Sequence, residues 1–224
     1  MSEFRRDLIS GDWIIVSKER GKRPHQFKAK KRKRAPKKGC VFENPSDAAF
    51  AGAVITSVPA GPNWKVQVIP NKYPAVSRDG IWVLNESQEG PFLVLPGYGY
   101  HEVVITRDHD DSFADLKSKD AFTLLKVLRE RYRNLSSDKN VSYIHIFENH
   151  GETAGASIYH PHYQILAIPI VPPDVSRSLH GSKEYYKKHK SCVHCAQVAW
   201  EIKKKKRIIY ETKHTVVIAP YVSK

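Results

Sequence analysis

The chain has 224 residues, of which 41% are hydrophobic, and this is enough to build a packed core in one sizeable domain. No run approaches the roughly 20 apolar residues of a membrane span, and the charged amino terminus leads into no apolar stretch. We therefore expect a cytoplasmic protein without a membrane partner. The cysteines, Cys40, Cys192 and Cys195, are odd in number and unevenly spaced, which argues against a disulfide framework and favours metal binding.

The net charge of +14 includes basic runs at Lys28 to Lys38, Lys183 to Lys190 and Lys203 to Arg207. Such a charge can indicate a polyanionic partner, of which nucleic acid is the first to consider. Like-charge runs without interleaved aromatic residues are, however, more typical of solvated loops and helix faces. We therefore do not expect nucleic acid to be the natural partner.

Short apolar and β-branched runs predict strands, and one amphipathic run predicts a long helix. The strands are expected at residues 13–16, 64–69, 102–106, 143–147 and 164–168. The helix is expected at 119–135, with Asp120 in its first turn and an apolar stripe that should lie on the sheet, formed by Phe122, Leu125, Leu128, Tyr132 and Leu135. Strands on both sides of a single helix predict an α+β fold with a largely antiparallel sheet.

The composition changes after Ile170, where a proline-containing and then basic stretch begins. We predict one domain over residues 1–175, followed over 176–224 by a linker and the incomplete start of a second domain. This second part should contain a helix from Cys192 to about Lys205 and strands at 207–210 and 215–219, too few elements to enclose a core.

The most informative segment lies between two predicted strands and ends in His160-Pro161-His162-Tyr163-Gln164. In an extended chain His160, His162 and Gln164 project on one side. Pro161 donates no hydrogen bond to a sheet, which favours a sheet edge or a strand entrance that a ligand can approach.

Imidazole is a suitable nucleophile at phosphorus because its ordinary pKa of roughly 6.5 leaves it largely neutral near pH 7. His162 is the candidate, and backbone N–H groups near Gly151, Gly155 and Ser157 are suited to binding phosphate oxygens. Gln164 cannot protonate a leaving group, so the site should favour acidic leaving groups such as sugar phosphates. By itself, a His-x-His pair is equally typical of a packed or metal-binding pair.

The surrounding motifs resemble one family. The runs Asn149-His150-Gly151, Gly155-Ala156-Ser157 and His160-Pro161-His162-Tyr163-Gln164 are similar to the signature of galactose-1-phosphate uridylyltransferases, a branch of the histidine-triad superfamily. The amino-terminal motif of that family is resembled by three runs, Arg5-Arg6-Asp7, Ser10-Gly11-Asp12-Trp13 and Arg20-Gly21-Lys22-Arg23-Pro24. Its next two blocks are resembled, in the same order, by Ile69-Pro70-Asn71-Lys72-Tyr73-Pro74 and Gly99-Tyr100-His101-Glu102-Val103.

The resemblance implies a histidine-triad-like, largely antiparallel sheet with flanking helices, plus the start of a second similar unit. It also implies a homodimer that exchanges UMP between UDP-glucose and galactose 1-phosphate through a nucleotidyl-histidine. His162 then corresponds to the nucleophile and Gln164 to a residue that contacts the phosphoryl group. The same resemblance assigns substrate contacts to Arg20, Arg23, Asn71, Lys72, Asn149, Gly155 and Ser157.

The family also implies a structural zinc ion. Cys40, His109 and His160 match its ligand positions, but Glu43 stands where a second cysteine is usual. Zinc accepts a carboxylate oxygen, so a site of this composition is chemically reasonable, though more sensitive to pH. Cys192 and Cys195 resemble half of a second metal site, and are equally consistent with two small residues that open a helix.

Alternative functions remain open at this level. One is an ADP-sugar phosphorylase or adenylyltransferase of the same fold, since the base is selected by the pocket around Val41, Phe42, Asn71 and Tyr73. The other is a non-catalytic remnant that binds zinc and polyanions.

Overall fold

A computed structural model describes residues 2–6, 13–17, 34–49, 53–78, 87–151 and 154–219. These residues fall into two compact units, Met1–Val171 and Pro172–Lys224. No helix in these ranges is long and apolar enough to cross a bilayer.

The described residues of the first unit form nine strands and two helices. The strands are β1 (Glu3–Arg6), β2 (Trp13–Val16), β3 (Thr56–Val58), β4 (Val66–Pro70), β5 (Ser87–Glu89), β6 (Phe92–Pro96), β7 (Tyr100–Thr106), β8 (Tyr143–Glu148) and β9 (His162–Ile168). The helices are α1 (Pro45–Ala48) and α2 (Ser118–Ser136). The strands form a five-stranded sheet in the order β3-β4-β7-β9-β8 and a four-stranded sheet in the order β2-β1-β6-β5.

Every strand pair in these two sheets is antiparallel, which confirms the predicted α+β fold with its largely antiparallel sheet. The β1, β3, β5 and β6 strands were not predicted; β3 and β5 span three residues each, too few for a clear alternation of polar and apolar positions.

Helix α2 covers one face of the five-stranded sheet. Its buried side chains are Leu124, Val127, Leu128 and Leu135, which pack with Val66, Val68, Val104, Tyr163, Ile165 and Ala167. Arg131 of α2 also makes a bidentate pair with the buried Glu102 carboxylate of β7, with Nε 2.9 Å from Oε2.

The predicted stripe on this helix was therefore partly wrong. Phe122, Leu125 and Tyr132 are 66%, 51% and 48% exposed, and only Leu128 and Leu135 of the stripe are buried. Apolar residues occupy more of the helix circumference than one sheet can cover, so spacing alone did not identify the side in contact.

The opposite face of the sheet carries a second apolar cluster, formed by Phe42, Ala49, Trp64, Ile69, Val103 and Ile105. A third cluster, Phe4, Val76, Leu95 and Ile168, joins strands of the two sheets. The segment from Cys40 to Ala49 is thereby held against the face on which the histidines lie.

The second unit comprises α3 (Pro173–His189), α4 (Val193–Lys204), β10 (Ile208–Glu211) and β11 (Val216–Ile218). The last two strands pair as an antiparallel hairpin. The predicted helix and strands of this part are confirmed, whereas helix α3 was not predicted and occupies most of the stretch that was expected to be a linker. No apolar side chain is buried in either helix.

Candidate functional site

Strand β9 presents two of the three predicted site residues side by side. His162 is its first residue and pairs with Ile105 of β7, and Gln164 pairs with Val103. Because residues two apart share a face, both side chains lie on the face opposite α2, where they are 6% and 7% exposed. Pro161 directly precedes the strand, at its entrance.

His160 does not continue this row. It lies before β9 begins, and its ring packs against that of His109 at 5.0 Å between centroids, with Nδ1 3.7 Å from Cys40 Sγ. The structure therefore separates the His-x-His pair into one residue on the strand face and one in a cluster of metal-type ligands.

The proton position of His162 follows from a single contact. Its Nδ1 lies 3.0 Å from the backbone carbonyl oxygen of His160. A carbonyl oxygen only accepts hydrogen bonds, so Nδ1 carries the proton and Nε2 keeps its lone pair. The ring is also contacted by Phe42, at 5.0 Å between centroids. His162 is thus held as the tautomer in which Nε2 carries the lone pair that a nucleophile requires.

The loop between β8 and β9 contains the predicted phosphate-binding residues. Asn149 directly follows β8, and Ser157 lies past a turn closed by a hydrogen bond from Ala156 N to Gly151 O at 3.0 Å. Gly151 and Gly155 have φ of 78° and 80°, a backbone conformation that residues other than glycine rarely adopt. Open space surrounds both glycines, so the requirement for glycine is conformational.

A cluster of ligand atoms lies beside the nucleophile candidate. Cys40 Sγ and ring nitrogens of His109 and His160 are all within 4.8 Å of one another, and both histidines are 1% exposed. Glu43 completes the group, with Oε1 3.0 Å from His109 Nδ1 and 3.7 Å from His160 Nδ1. All four predicted metal ligands are thereby brought together.

The tautomers of the two histidines fit a bound cation. His109 Nε2 donates to Ala35 O at 2.9 Å and His160 Nε2 donates to Thr106 O at 2.8 Å. In the neutral rings each Nδ1 therefore presents a lone pair towards Glu43 oxygen and Cys40 sulfur, which also carry lone pairs. A cation at this point removes the repulsion.

Burial opposes charge on two of these ligands when no metal is bound. It raises the pKa of the Cys40 thiol and lowers the pKa of the His160 imidazole. A divalent cation would reverse the effect on the thiol, because metal coordination favours the thiolate.

Asn71 and Lys72 line a cavity of about 660 Å³ in the first unit. Its other walls include the apolar side chains of Ile55 and Val76 and, deeper, His101. Asn71 is fixed by a hydrogen bond from Tyr73 N to its Oδ1 at 2.9 Å. The predicted nucleoside block therefore borders a concave surface with both apolar and cationic walls.

Two pairs of the residues predicted from the sequence have a different outcome. Arg20 and Arg23 lie outside the described residues. Cys192 and Cys195 are exposed residues of the second unit at the start of α4, and among the described residues only Cys40, His109 and His160 form a group of three cysteine, histidine or acidic ligands. The second metal site therefore stays a prediction.

Sequence reasoning assigned no role to His101, which is 6% exposed and lies 3.0 Å from Gln164 Oε1 through its Nε2. The available signal was its position, since this histidine lies in a strand whose later residues, Val103 to Ile105, are all apolar. Phe42 was considered only for base selection, although its ring contacts His160 as well as His162.

Comparisons with known proteins agree on one family. Residues 1–172 match the model of the galactose-1-phosphate uridyl transferase N-terminal domain. ADP-glucose phosphorylase of Arabidopsis thaliana is 33% identical over 99% of this chain and 62% of its own length. Galactose-1-phosphate uridylyltransferase of Thermotoga maritima is 29% identical over 100% of this chain and 64% of its own length.

Solved structures give the same result. A uridylyltransferase structure superposes with a TM-score of 0.70 at 31% identity, over 94% of this chain and 59% of that one. The Arabidopsis thaliana ADP-glucose phosphorylase with bound ADP-glucose gives a TM-score of 0.67 at 32% identity, over 100% of this chain and 65% of that one. The chain thus spans slightly less than two thirds of these relatives.

Proposed function

Because the chain belongs to the galactose-1-phosphate uridyl transferase family, we propose that it transfers a nucleotidyl group from a nucleotide sugar through a covalent bond to His162. His162 Nε2 attacks the α-phosphorus, the bond from that phosphorus to the bridging oxygen breaks, and the sugar 1-phosphate leaves with the electron pair. A phosphate oxygen of the acceptor then attacks the same phosphorus, and cleavage of the P–N bond restores the imidazole.

One observation supports the proposal most directly. The hydrogen bond from His162 Nδ1 to His160 O, at 3.0 Å, leaves the lone pair on Nε2. The ring therefore needs no proton transfer before it attacks, and Nδ1–H can share the positive charge that develops with the carbonyl dipole.

The neutral side chain of Gln164 fits transfer better than hydrolysis. A sugar phosphate is a stable anion and leaves without being protonated, whereas an alkoxide leaving group needs a general acid. Gln164 supplies none, and its amide suits a contact with phosphoryl oxygens. We propose phosphate contacts for Asn149, Gly155 and Ser157 also, and for Arg20 and Arg23, which lie outside the described residues.

We propose that the nucleoside binds along the cavity bordered by Asn71 and Lys72, with the ribose beside Asn71. In galactose metabolism the donor is UDP-glucose and the acceptor galactose 1-phosphate. The similarity to ADP-glucose phosphorylase, 33% identical, supports an adenine nucleotide as the second candidate donor. Both donors therefore belong in the first experiment.

We propose zinc as the cation held by Cys40, Glu43, His109 and His160. Bound there, zinc supplies a structural cross-link between the segment that holds Phe42 and the residue that precedes β9. The backbone carbonyl that fixes the His162 tautomer belongs to one of these ligands, His160. The metal site therefore keeps the nucleophile in position.

The test is the intact mass of the protein after incubation with UDP-glucose or with ADP-glucose. We expect the mass of one uridylyl or adenylyl group to be added to the wild type and to the control His180→Ala, which removes an exposed histidine of α3. His162→Ala should gain nothing. An adduct on His162→Ala, or none on the folded, zinc-loaded wild type with either donor, would contradict the proposal.

A homodimer is also proposed, from the family alone. Its measurement is the mass in solution by light scattering, for which the proposal expects twice the chain mass of 25.6 kDa.

A further inference from the structure

His101 of β7 is a buried polar side chain that the proposed function leaves without a task. It lies on the same face of the sheet as Gln164, and both residues are less than 8% exposed. A buried imidazole must satisfy its two ring nitrogens, and the partners of those nitrogens fix where its proton is.

The proton position follows from the backbone. The amide N–H of Ala75 donates to His101 Nδ1 at 2.9 Å. A backbone N–H can only donate, so Nδ1 carries the lone pair and Nε2 carries the proton. Nε2–H therefore donates to the Gln164 atom that it faces at 3.0 Å, and that atom must be the carbonyl oxygen Oε1.

This bond fixes which end of the Gln164 amide is turned towards His101. The NH₂ end is then the one turned away from His101, on the face that Gln164 shares with His162. With the opposite tautomer, His101 would accept from Gln164 and the amide would turn its carbonyl oxygen to the site, where it would repel a phosphoryl oxygen.

We propose that His101 is a positioning residue: it orients the Gln164 amide so that its NH₂ group donates to a non-bridging oxygen of the phosphoryl group that His162 receives. The inference rests on the proposed function and adds to it the residue that sets the orientation of the donor.

The segment from Asn71 to Ala75 links the orientation of the Gln164 amide to the predicted nucleoside block. Asn71 N donates to the carbonyl oxygen of His101 at 2.9 Å. Asn71 Nδ2 also lies 3.1 Å from His101 Nε2, but both nitrogens are donors in this tautomer, so this contact is not a hydrogen bond and does not hold the ring. Ala75, which sets the tautomer, is four residues further along this segment. The segment that borders the nucleoside cavity thus also holds, through Ala75, the ring that orients the phosphoryl donor.

Two substitutions separate positioning from packing. His101→Asn keeps an acceptor near the Ala75 N–H but is too short to reach Gln164, whereas His101→Gln places an amide nitrogen near the former Nε2. We expect the first to slow formation of the His162 adduct about 10- to 100-fold at saturating nucleotide sugar, with a change in KM below about threefold. The second should recover most of the rate.

A double variant tests more sharply than the single substitutions whether His101 acts through Gln164. The double variant His101→Asn, Gln164→Ala should be no slower than Gln164→Ala alone, since both changes remove one donor. With nucleotide sugars that carry sulfur at one α-phosphate oxygen, His101→Asn should change the rate ratio of the two diastereomers in the same direction as Gln164→Ala. A loss of packing would slow both diastereomers alike.

The tautomer itself is measured by ¹⁵N NMR of the histidine rings, with the His101 signals assigned from His101→Gln. Protonation at Nε2 supports the inference, and protonation at Nδ1 overturns it, as do additive effects of the two substitutions. If the wild type forms no adduct, the proposed function fails and the catalytic task of His101 fails with it. If the wild type reacts while His101→Asn reacts as fast, only the inference fails.

Discussion

At the scale of single residues, the site is defined by where protons lie. His101 and His162 each have one ring nitrogen fixed by a backbone partner, Ala75 N–H for the first and His160 O for the second. The first partner is a donor and the second an acceptor, so the two rings are opposite tautomers. Neither assignment depends on an ionisable neighbour: the proton lies on Nε2 of His101 and on Nδ1 of His162.

The metal ligands give the first prediction at this scale. Glu43→Cys should raise zinc affinity, because a second thiolate replaces a carboxylate at the same position, whereas Cys40→Ser should lower it by about 10-fold or more. Competition with a chromophoric chelator measures the affinities. The control Cys192→Ser, in the second unit, should leave the competition at the first site unchanged.

Equal zinc affinity in the wild type, Glu43→Cys and Cys40→Ser would contradict this assignment of ligands.

The metal ligands and the nucleophile could be proposed from the sequence, because each is a chemically suitable residue at a position that matches a motif of the family. The sequence was insufficient for the task of His101, since that depends on Ala75, 26 residues away in the chain, lying against its Nδ1. The sequence also placed His160 in one row with His162, because strict alternation was assumed before the strand begins at His162.

At the scale of elements, helix α2 and the five-stranded sheet form a layer contact in the first unit. Their contact combines an apolar face with the Arg131–Glu102 pair, in which both groups are largely buried. Breaking such a pair by removing one partner generally destabilises a protein, because it leaves an uncompensated charge.

The side of α2 that faces the sheet is tested by two adjacent leucines. Leu124 is 0% exposed and Leu125 is 51% exposed. Leu124→Ala should lower the free energy of unfolding by about 2–5 kcal/mol, since it opens a cavity, and Leu125→Ala should change it by less than about 0.5 kcal/mol. Urea denaturation of the two variants measures the difference. Equal effects would show that the helix is rotated from this orientation.

The hydrogen-bonded carboxylate of Asp138, which follows α2, predicts that the stability of the fold depends on pH. Tyr98 and Tyr100 hydroxyls donate to Asp138 Oδ2 at 2.5 and 2.7 Å, and the Tyr98 bond is the largest cause that lowers the Asp138 pKa. A lowered pKa means that this stabilisation is complete above the ordinary carboxyl range and is lost as the pH falls through the folded-state value.

Asp138→Asn should therefore reduce the loss of Tm between about pH 4 and pH 2 relative to the wild type, because the group that takes up the proton is gone. Thermal melts by circular dichroism across this interval measure it. A parallel fall of Tm in both proteins would contradict the assignment.

Element types were predicted best where the pattern was long. Strands β7, β8 and β9 and helix α2 have longer apolar patterns than the strands that were missed, and their bounds differ from the prediction by two residues or fewer. The two-residue error at β9 matters most, because it excluded His162 from the strand. Helix α3 was missed because its composition is polar and basic, so it has no apolar face to reveal it.

At the scale of the whole molecule, the described residues form one unit with two sheets, three apolar clusters and the candidate site, and a second unit of two helices and a hairpin. The family model matches residues 1–172, which is the part that contains His162, Gln164 and the proposed metal ligands. The chemistry of nucleotidyl transfer to His162 is thus proposed from the first unit alone.

Removal of the proposed metal should affect both the stability of the fold and the reaction at His162. Incubation with a chelator should lower the Tm, because binding free energy of a structural metal is part of the folding free energy, and should slow formation of the His162 adduct. Added zinc should restore both. An unchanged Tm in protein shown by elemental analysis to have lost its metal would contradict a structural role for the ion.

The most direct test of the central claim is peptide mapping after reaction with UDP-glucose or ADP-glucose. We predict that the peptide containing His162 carries one nucleotidyl group, that the linkage is lost in acid and stable in base as expected for a phosphorus–nitrogen bond, and that galactose 1-phosphate or inorganic phosphate removes it. A nucleotidyl group on any other residue, or an unmodified His162 peptide from folded and zinc-loaded protein, would contradict the account.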